Sequence, residues 1–375
     1  MDRGYFLIDS SDIETLEALI TQRVDRKDVP HAADIQRNVP IYDVPALDLT
    51  DPDLLAEWAK VLRVGAGVIC LKRAFPDTAP IDRATGVFRQ IIDDEREQAA
   101  GKGDHFAASG ANDRIWNALQ KQCLRDPEGF AAYYSNAAIA AASLAWLGPH
   151  YQMTSQINQV RPGGKAQRAH RDYHLGFQSA ETAASFPVHV HDLTATLTLQ
   201  GAVAHEDMPV ESGPTKLLPF SQRYAPGYIA FHQTGHSEFF ETHYIQLPLE
   251  KGDAVFFNPA LFHAAGENRS SDIDRMANLL QVSSPFGRAM EAIDRDAMCR
   301  SVYPALKALS EAEARAVIAA TAEGYAFPTN LDTDPPIGGN APETQADVMR
   351  RAYADAWQTE TLHTALNELA KRRAA

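Results

Sequence analysis

Residues 166–177 read AQRAHRDYHLGF and set His170, Asp172 and His174 at every second position. On an extended strand, side chains alternate between faces, so these three would point the same way. Two imidazoles and a carboxylate in a row suit a metal site. The same row also suits a polar strip on a solvated strand. A third ligand from a distant strand would separate the two readings. His263, in GDAVFFNPALFHAAGENRSSDIDR, follows a run that reads as a buried strand. Two histidines and one aspartate on one side of a metal leave the other positions open. That set favours non-haem Fe(II) and oxygen chemistry over a closed zinc site.

Arg275 opens RMANLLQVS, the expected next strand, antiparallel to the one before His263. A guanidinium is always charged and grips a carboxylate as a fork. An α-keto acid held on iron by its keto and C1 carboxylate oxygens would offer its far carboxylate to such an arginine.

The elements that must position these residues change character along the chain. Up to about residue 150 the pattern is mixed and mainly helical. Ser11 and Glu14 have capping-box spacing before an apolar helical repeat, 81–100 and 128–147 read as helices, and GAGVICLKRAF (65–75) reads as a buried strand. From 150 to 290 short β-rich runs such as HYQMTSQINQV, HDLTATLTLQGAV, TKLLPF, HYIQLPL and DAVFFNP are separated by turn signals such as RPGGK and GENRSSD. Roughly eight such runs suggest a jelly roll. Beyond 291, Ser310 and Glu313 cap a helix, a Pro/Gly-rich loop follows, and 343–372 reads as one long helix ending in KRR. The expectation is a single domain over 1–375, a double-stranded β-helix flanked by N- and C-terminal helices.

The chain has 375 residues, 45% hydrophobic and 22% charged, enough to bury a sizeable core. A formal net charge of −14 disfavours a nucleic-acid partner. The three cysteines, Cys70, Cys123 and Cys299, lie far apart, which excludes a disulfide framework or a cysteine zinc site. The first residues lack a secretory pattern, and no uncharged run approaches the ~20 apolar residues of a membrane span. The expectation is a cytoplasmic protein with a small-molecule substrate, no membrane partner and an oligomeric state that the sequence does not indicate.

HRDYH (170–174), ESGPTKLLPFSQR (211–223) and KGDAVFFNPALFHAAGENRSSDIDR (251–275), in this order, resemble the motifs of the phytanoyl-CoA dioxygenase family of Fe(II)/2-oxoglutarate-dependent oxygenases. The resemblance is good over about 150–288, loose over 60–100 and hardly present in the C-terminal tail. It implies His170, Asp172 and His263 as iron ligands and Arg275 as the anchor of the 2-oxoglutarate C5 carboxylate, with O2 as co-substrate. The implied default reaction hydroxylates an aliphatic C–H and releases succinate and CO2. Ala265 stands where the family often has a serine or threonine, and PFSQR replaces PGSHR. Asp172 is retained, which argues against the halogenase variant.

Asn158, Gln156 and Gln200 are candidates for binding the co-substrate, the alternative being hydrogen bonds within the barrel. His174, Gln167 and His105 are candidates to touch substrate, the alternative being structural or surface roles. Arg161, Lys165, Arg168 and Arg171 form a basic cluster that would meet an acidic substrate or line a solvated edge. Two other readings remain open: a cupin-like metalloenzyme that does not use 2-oxoglutarate, and a non-catalytic metal- or ligand-binding jelly roll.

Overall fold

A computed structural model describes residues 4–9, 11–99 and 112–374. Its strands are β1 (Asp34–Gln36), β2 (Val39–Asp43), β3 (Val68–Lys72), β4 (Asn112–Ile115), β5 (Gln152–Val160), β6 (Thr198–Ala204), β7 (Lys216–Leu217), β8 (Ala254–Phe257), β9 (His263–Ala264) and β10 (Arg275–Ser283). Eight of them form one sheet in the order β1-β2-β3-β8-β6-β10-β5-β4. Every neighbouring pair in it is antiparallel except β2 and β3. A smaller layer pairs β7 with β9 and is extended by the bridges His170–His263 and Leu217–Ile245. Two antiparallel layers built from distant strands are the expected jelly-roll core.

Alternation along the central strands gives the large sheet two unlike faces. Met276, Leu280 and Val282 of β10 join Met153 and Ile157 of β5 and Leu199 and Val203 of β6 in the main apolar core. Helices Pro52–Arg63, Ala118–Arg125, Pro127–Tyr134, Ala137–Leu147 and Arg295–Leu306 contribute to the same core. This face also carries a buried polar cluster. His205 bonds Thr85 Oγ1 at 2.8 Å and the Tyr133 hydroxyl at 2.9 Å, and Asn278 Nδ2 donates to the hydroxyls of Tyr133 and Tyr134. Burial pushes the His205 imidazole down to about 3, so it stays neutral there. The opposite face presents Arg275, Ala277, Leu279 and Gln281 of β10 to a cavity between the layers.

Several local expectations need correction. The first helix, Ile13–Ile20, is capped by Asp12, which accepts from Thr15 N–H, and not by Ser11. The expected helix 128–147 is two, because Asn136 caps a new helix at Ala137. The long C-terminal helix breaks between Ala354 and Thr359, where Ala356 takes a positive φ and the Tyr303 hydroxyl donates to the carbonyls of Ala352 and Trp357. Strand β6 starts only at Thr198, since Val188–Thr194 is helical, and HYIQLPL contributes only isolated bridges. The Ser310–Glu313 capping box forms as expected.

The turn into β8 sets the course of the chain toward His263. Gly252 takes φ +94, and a Cβ there would lie 2.8 Å from the Phe75 carbonyl oxygen. Buried Asp253 accepts from Lys72 Nζ at 2.5 Å, Arg73 N–H at 2.8 Å and Glu250 N–H at 2.7 Å. Removing that carboxylate leaves three donors unpaired. Asp253→Ala is therefore expected to lower unfolding free energy by about 3 kcal/mol in urea titrations. A loss below about 1 kcal/mol would show that the turn holds without it.

Candidate metal centre

His170 and His263 face each other across one antiparallel bridge. His170 N–H donates to the His263 carbonyl at 3.0 Å, and His263 N–H returns the bond at 3.2 Å. The chain then carries Asp172 past Pro259, whose carbonyl accepts its N–H at 3.0 Å. One donor atom from each of His170, Asp172 and His263 falls within a 4.8 Å cluster. His263 Nε2 lies 3.3 Å and His170 Nε2 3.7 Å from the two Asp172 carboxylate oxygens.

The outer nitrogens explain which ring atoms face inward. His170 Nδ1 lies 2.8 Å from the Arg168 carbonyl, and His263 Nδ1 lies 2.8 Å from the Leu261 carbonyl. A carbonyl only accepts, so each Nδ1 donates to its carbonyl, and each Nε2 faces Asp172. Burial and the neighbouring His263 hold the His170 imidazole below its ordinary value. Burial opposes ionisation of Asp172, but the two imidazoles and the Gln200 amide outweigh it and hold the carboxyl well below the usual range. Two imidazole nitrogens and one carboxylate therefore converge, with their open side toward the cavity. This donor set fits a divalent, octahedral metal with vacant positions and matches the two-histidine, one-carboxylate pattern of non-haem Fe(II).

The cavity has a volume of about 670 Å³. Arg275 lies in its wall, 5% exposed, and among the described residues its guanidinium makes no hydrogen bond or ion pair. Burial alone pushes it down to about 10, still charged at neutral pH. A buried cation without a partner is costly, so this is a place for an anionic group. Asn158 also lines the cavity, with its buried Oδ1 unpaired. Gln156 lines it too, but its carbonyl accepts from Arg114 Nη1 at 3.0 Å. Gln200 lines the cavity as well: its Nε2 donates to Asp172 Oδ2, and its buried Oε1 is unpaired. Gln167 sits at the wall across from Ala265, whose N–H reaches its Oε1 at 3.3 Å.

His174 does not continue the row. The expected strand is reduced to an isolated bridge at His170; Tyr173 and His174 both take positive φ, and His174–Phe177 forms a 3-10 turn. His174 is absent from the cavity wall, and neither ring nitrogen has a hydrogen-bond partner. His105 lies outside the described residues. The basic cluster also disperses. Arg161 pairs with Asp113, Lys165 pairs with Glu267, and Arg171 points to the other side, leaving Arg168 at the cavity. Gln281, Trp116 and Met290 line the cavity but were not anticipated. Alternation from Arg275 along β10 marks Gln281; no local signal marks Trp116 or Met290.

A family model described as phytanoyl-CoA dioxygenase (PhyH) matches residues 51–277, more than half of the chain, and the protein belongs to this family of non-haem iron, 2-oxoglutarate-dependent oxygenases. Dioxygenase trt7 of Aspergillus terreus (strain NIH 2624 / FGSC A1156) is 27% identical over 139 residues, 37% of this chain and 43% of its own length. The chain thus spans less than half of that relative. Among solved structures, the non-heme alpha ketoglutarate dependent carbocyclase SnoK from nogalamycin biosynthesis aligns with a TM-score of 0.43 and 20% identity, over 61% of this chain and 83% of its own. The epimerase SnoN, in complex with Fe3+, alpha ketoglutarate and nogalamycin RO, aligns with a TM-score of 0.41 and 18% identity, over 63% and 85%. Among the described residues, no helix is long and apolar enough to cross a membrane.

The Gln200 contact generates a direct test. Groups that orient a metal-binding carboxylate typically contribute about 10- to 100-fold to metal affinity. Gln200→Leu is expected to weaken Fe(II) binding by that factor in an anaerobic chelator competition. Wild-type affinity in the folded variant would mean that Asp172 is oriented by its own backbone.

Proposed function

We propose that His170, Asp172 and His263 hold Fe(II), that Arg275 binds the C5 carboxylate of 2-oxoglutarate, and that the enzyme hydroxylates an aliphatic C–H of a small organic substrate. The balance is substrate C–H, O2 and 2-oxoglutarate to substrate C–OH, succinate and CO2. The observation that carries this reading is Arg275, a buried guanidinium on the cavity wall with no partner among the described residues. A purely structural arginine would be expected to have one.

Iron bound here would supply the O2 activation that no protein side chain provides. The chain's own residues bind, orient and shield. Asp172 contributes one negative charge, and Gln200 keeps its carboxylate turned toward the two imidazoles. Asn158 and Gln200 are the amides assigned to the co-substrate, because their oxygens are unpaired while that of Gln156 is taken by Arg114. With alanine at 265, Arg275 holds the carboxylate without a neighbouring hydroxyl from that position. Trp116, Phe177, Phe231 and Met290 give the cavity apolar wall, which suits a substrate with an apolar portion. In this reading the whole chain is one oxygenase domain, with 150–290 as catalytic core and the terminal helices packed on its outer face.

Anaerobic addition of Fe(II) and 2-oxoglutarate is expected to produce a weak visible metal-to-ligand absorption, and air is expected to start slow succinate formation without substrate. Absence of both would sink the proposal. Arg275→Ala should raise the 2-oxoglutarate concentration required by about 30- to 1,000-fold, the range for losing a buried charge-assisted fork, with Fe(II) affinity unchanged. Parallel loss of iron would make Arg275 structural.

A further inference from the structure

Arg171 lies between two of the three ligand residues, and alternation sends its side chain away from them. It is 2% exposed, and among the described residues no carboxylate lies within ion-pair distance. Its Nη2 donates to two backbone carbonyls of one turn, Ser221 at 2.6 Å and Tyr224 at 2.8 Å. The guanidinium carbon sits 5.0 Å from the ring centres of both Tyr228 and Phe262. Gly227 closes this cradle: a Cβ there would fall 1.9 Å from the guanidinium carbon.

The same turn also grips the segment that carries the third ligand. Phe262, the residue before His263, donates its N–H to Ser221 Oγ at 2.8 Å, and its carbonyl accepts from Leu218 N–H at 3.0 Å. Ser221 therefore touches both ligand segments, one through its carbonyl and the other through its hydroxyl. Phe262 touches Arg171 directly through its ring. An apolar side chain of similar length would fill this space without the desolvation cost of a guanidinium. Core stability alone therefore does not account for an arginine here.

We propose that Arg171 is a positioning residue that, through the 221–224 turn and Phe262, fixes the His170–Asp172 pair against His263 and so sets the affinity of the metal site. The inference rests on the assignment of those three residues as ligands. It requires nothing of the co-substrate or substrate.

The test uses Co(II), stable in air, as the probe on the full chain, with affinity read by visible absorption and chelator competition. Unfolding midpoints are measured in parallel. Arg171→Met should unfold cooperatively yet bind Co(II) at least about tenfold more weakly. Arg171→Lys, which keeps a cation but loses the fork, should fall between it and wild type. Ser221→Ala removes the acceptor of Phe262 N–H and should shift affinity in the same direction. A merely structural arginine would lower the midpoint and leave the affinity of the folded protein unchanged. That result in Arg171→Met overturns the proposal. If Arg171→Met does not fold, wild-type affinity in Ser221→Ala overturns it. Failure of the wild type itself to bind Co(II) removes the ligand assignment, and the inference falls with it.

Discussion

Two backbone hydrogen bonds between His170 and His263 govern the rest of this molecule. In an antiparallel pair that exchanges both bonds, the Cα atoms lie about 5.5 Å apart, close enough for both imidazoles to address one point. Contacts continue on either side, from Gln167 N–H to the Ala265 carbonyl and from Asp172 N–H to the Pro259 carbonyl. A one-residue slip in this pairing would turn a ligand to the wrong face. The surrounding devices guard against it: the Asp253 turn steers the chain into β8, Gln200 bonds Asp172, and Arg171 clasps the pair from behind.

Both faces of the large sheet bury polar groups, with different partners. On the helix side, His205, Thr85, Tyr133, Tyr134 and Asn278 bond mainly to one another, and the cluster serves packing. On the cavity side, the polar atoms divide. Gln200 Nε2 donates to Asp172, and the Gln156 oxygen accepts from Arg114. The Arg275 guanidinium and the Asn158, Gln200 and Gln281 oxygens have no partner among the described residues. Unpaired buried groups cost free energy, and on the cavity face those of Arg275, Asn158, Gln200 and Gln281 share one wall with three converging donors, which suits a polar small molecule.

Much of the site was legible because metal chemistry needs few residue types. His170, Asp172, His263 and Arg275 stand out by type and spacing, and turn signals delimit the β region that carries them. The helices were less legible at their ends. Asn136 and the Tyr303 contact to the 352–357 turn break segments whose composition reads as continuous helix. His174 shows the same limit within the motif itself. Its position matches strand alternation, yet the segment forms only a bridge at His170 and turns at Tyr173 and His174, both with positive φ. Nothing in the local pattern distinguishes that turn from one more extended residue.

By itself, the sequence marked His170, Asp172 and His263 as a candidate donor set and determined the alternation that sends Arg275 and Gln281 to one face of β10. Those properties follow from side-chain chemistry and the period of a strand. Only tertiary structure decided how polar residues of one type divide their roles. Gln156 bonds Arg114, Gln200 bonds Asp172 through its nitrogen alone, and the Asn158 oxygen is left open, although Gln156 and Asn158 share β5 and Gln200 lies on β6 just across β10. Likewise Arg168, Arg171 and Arg275 separate into a rim cation, a buried clasp and a cavity anchor. Their assignment depends on which strand lies across from them, and that pairing is made by residues far away along the chain.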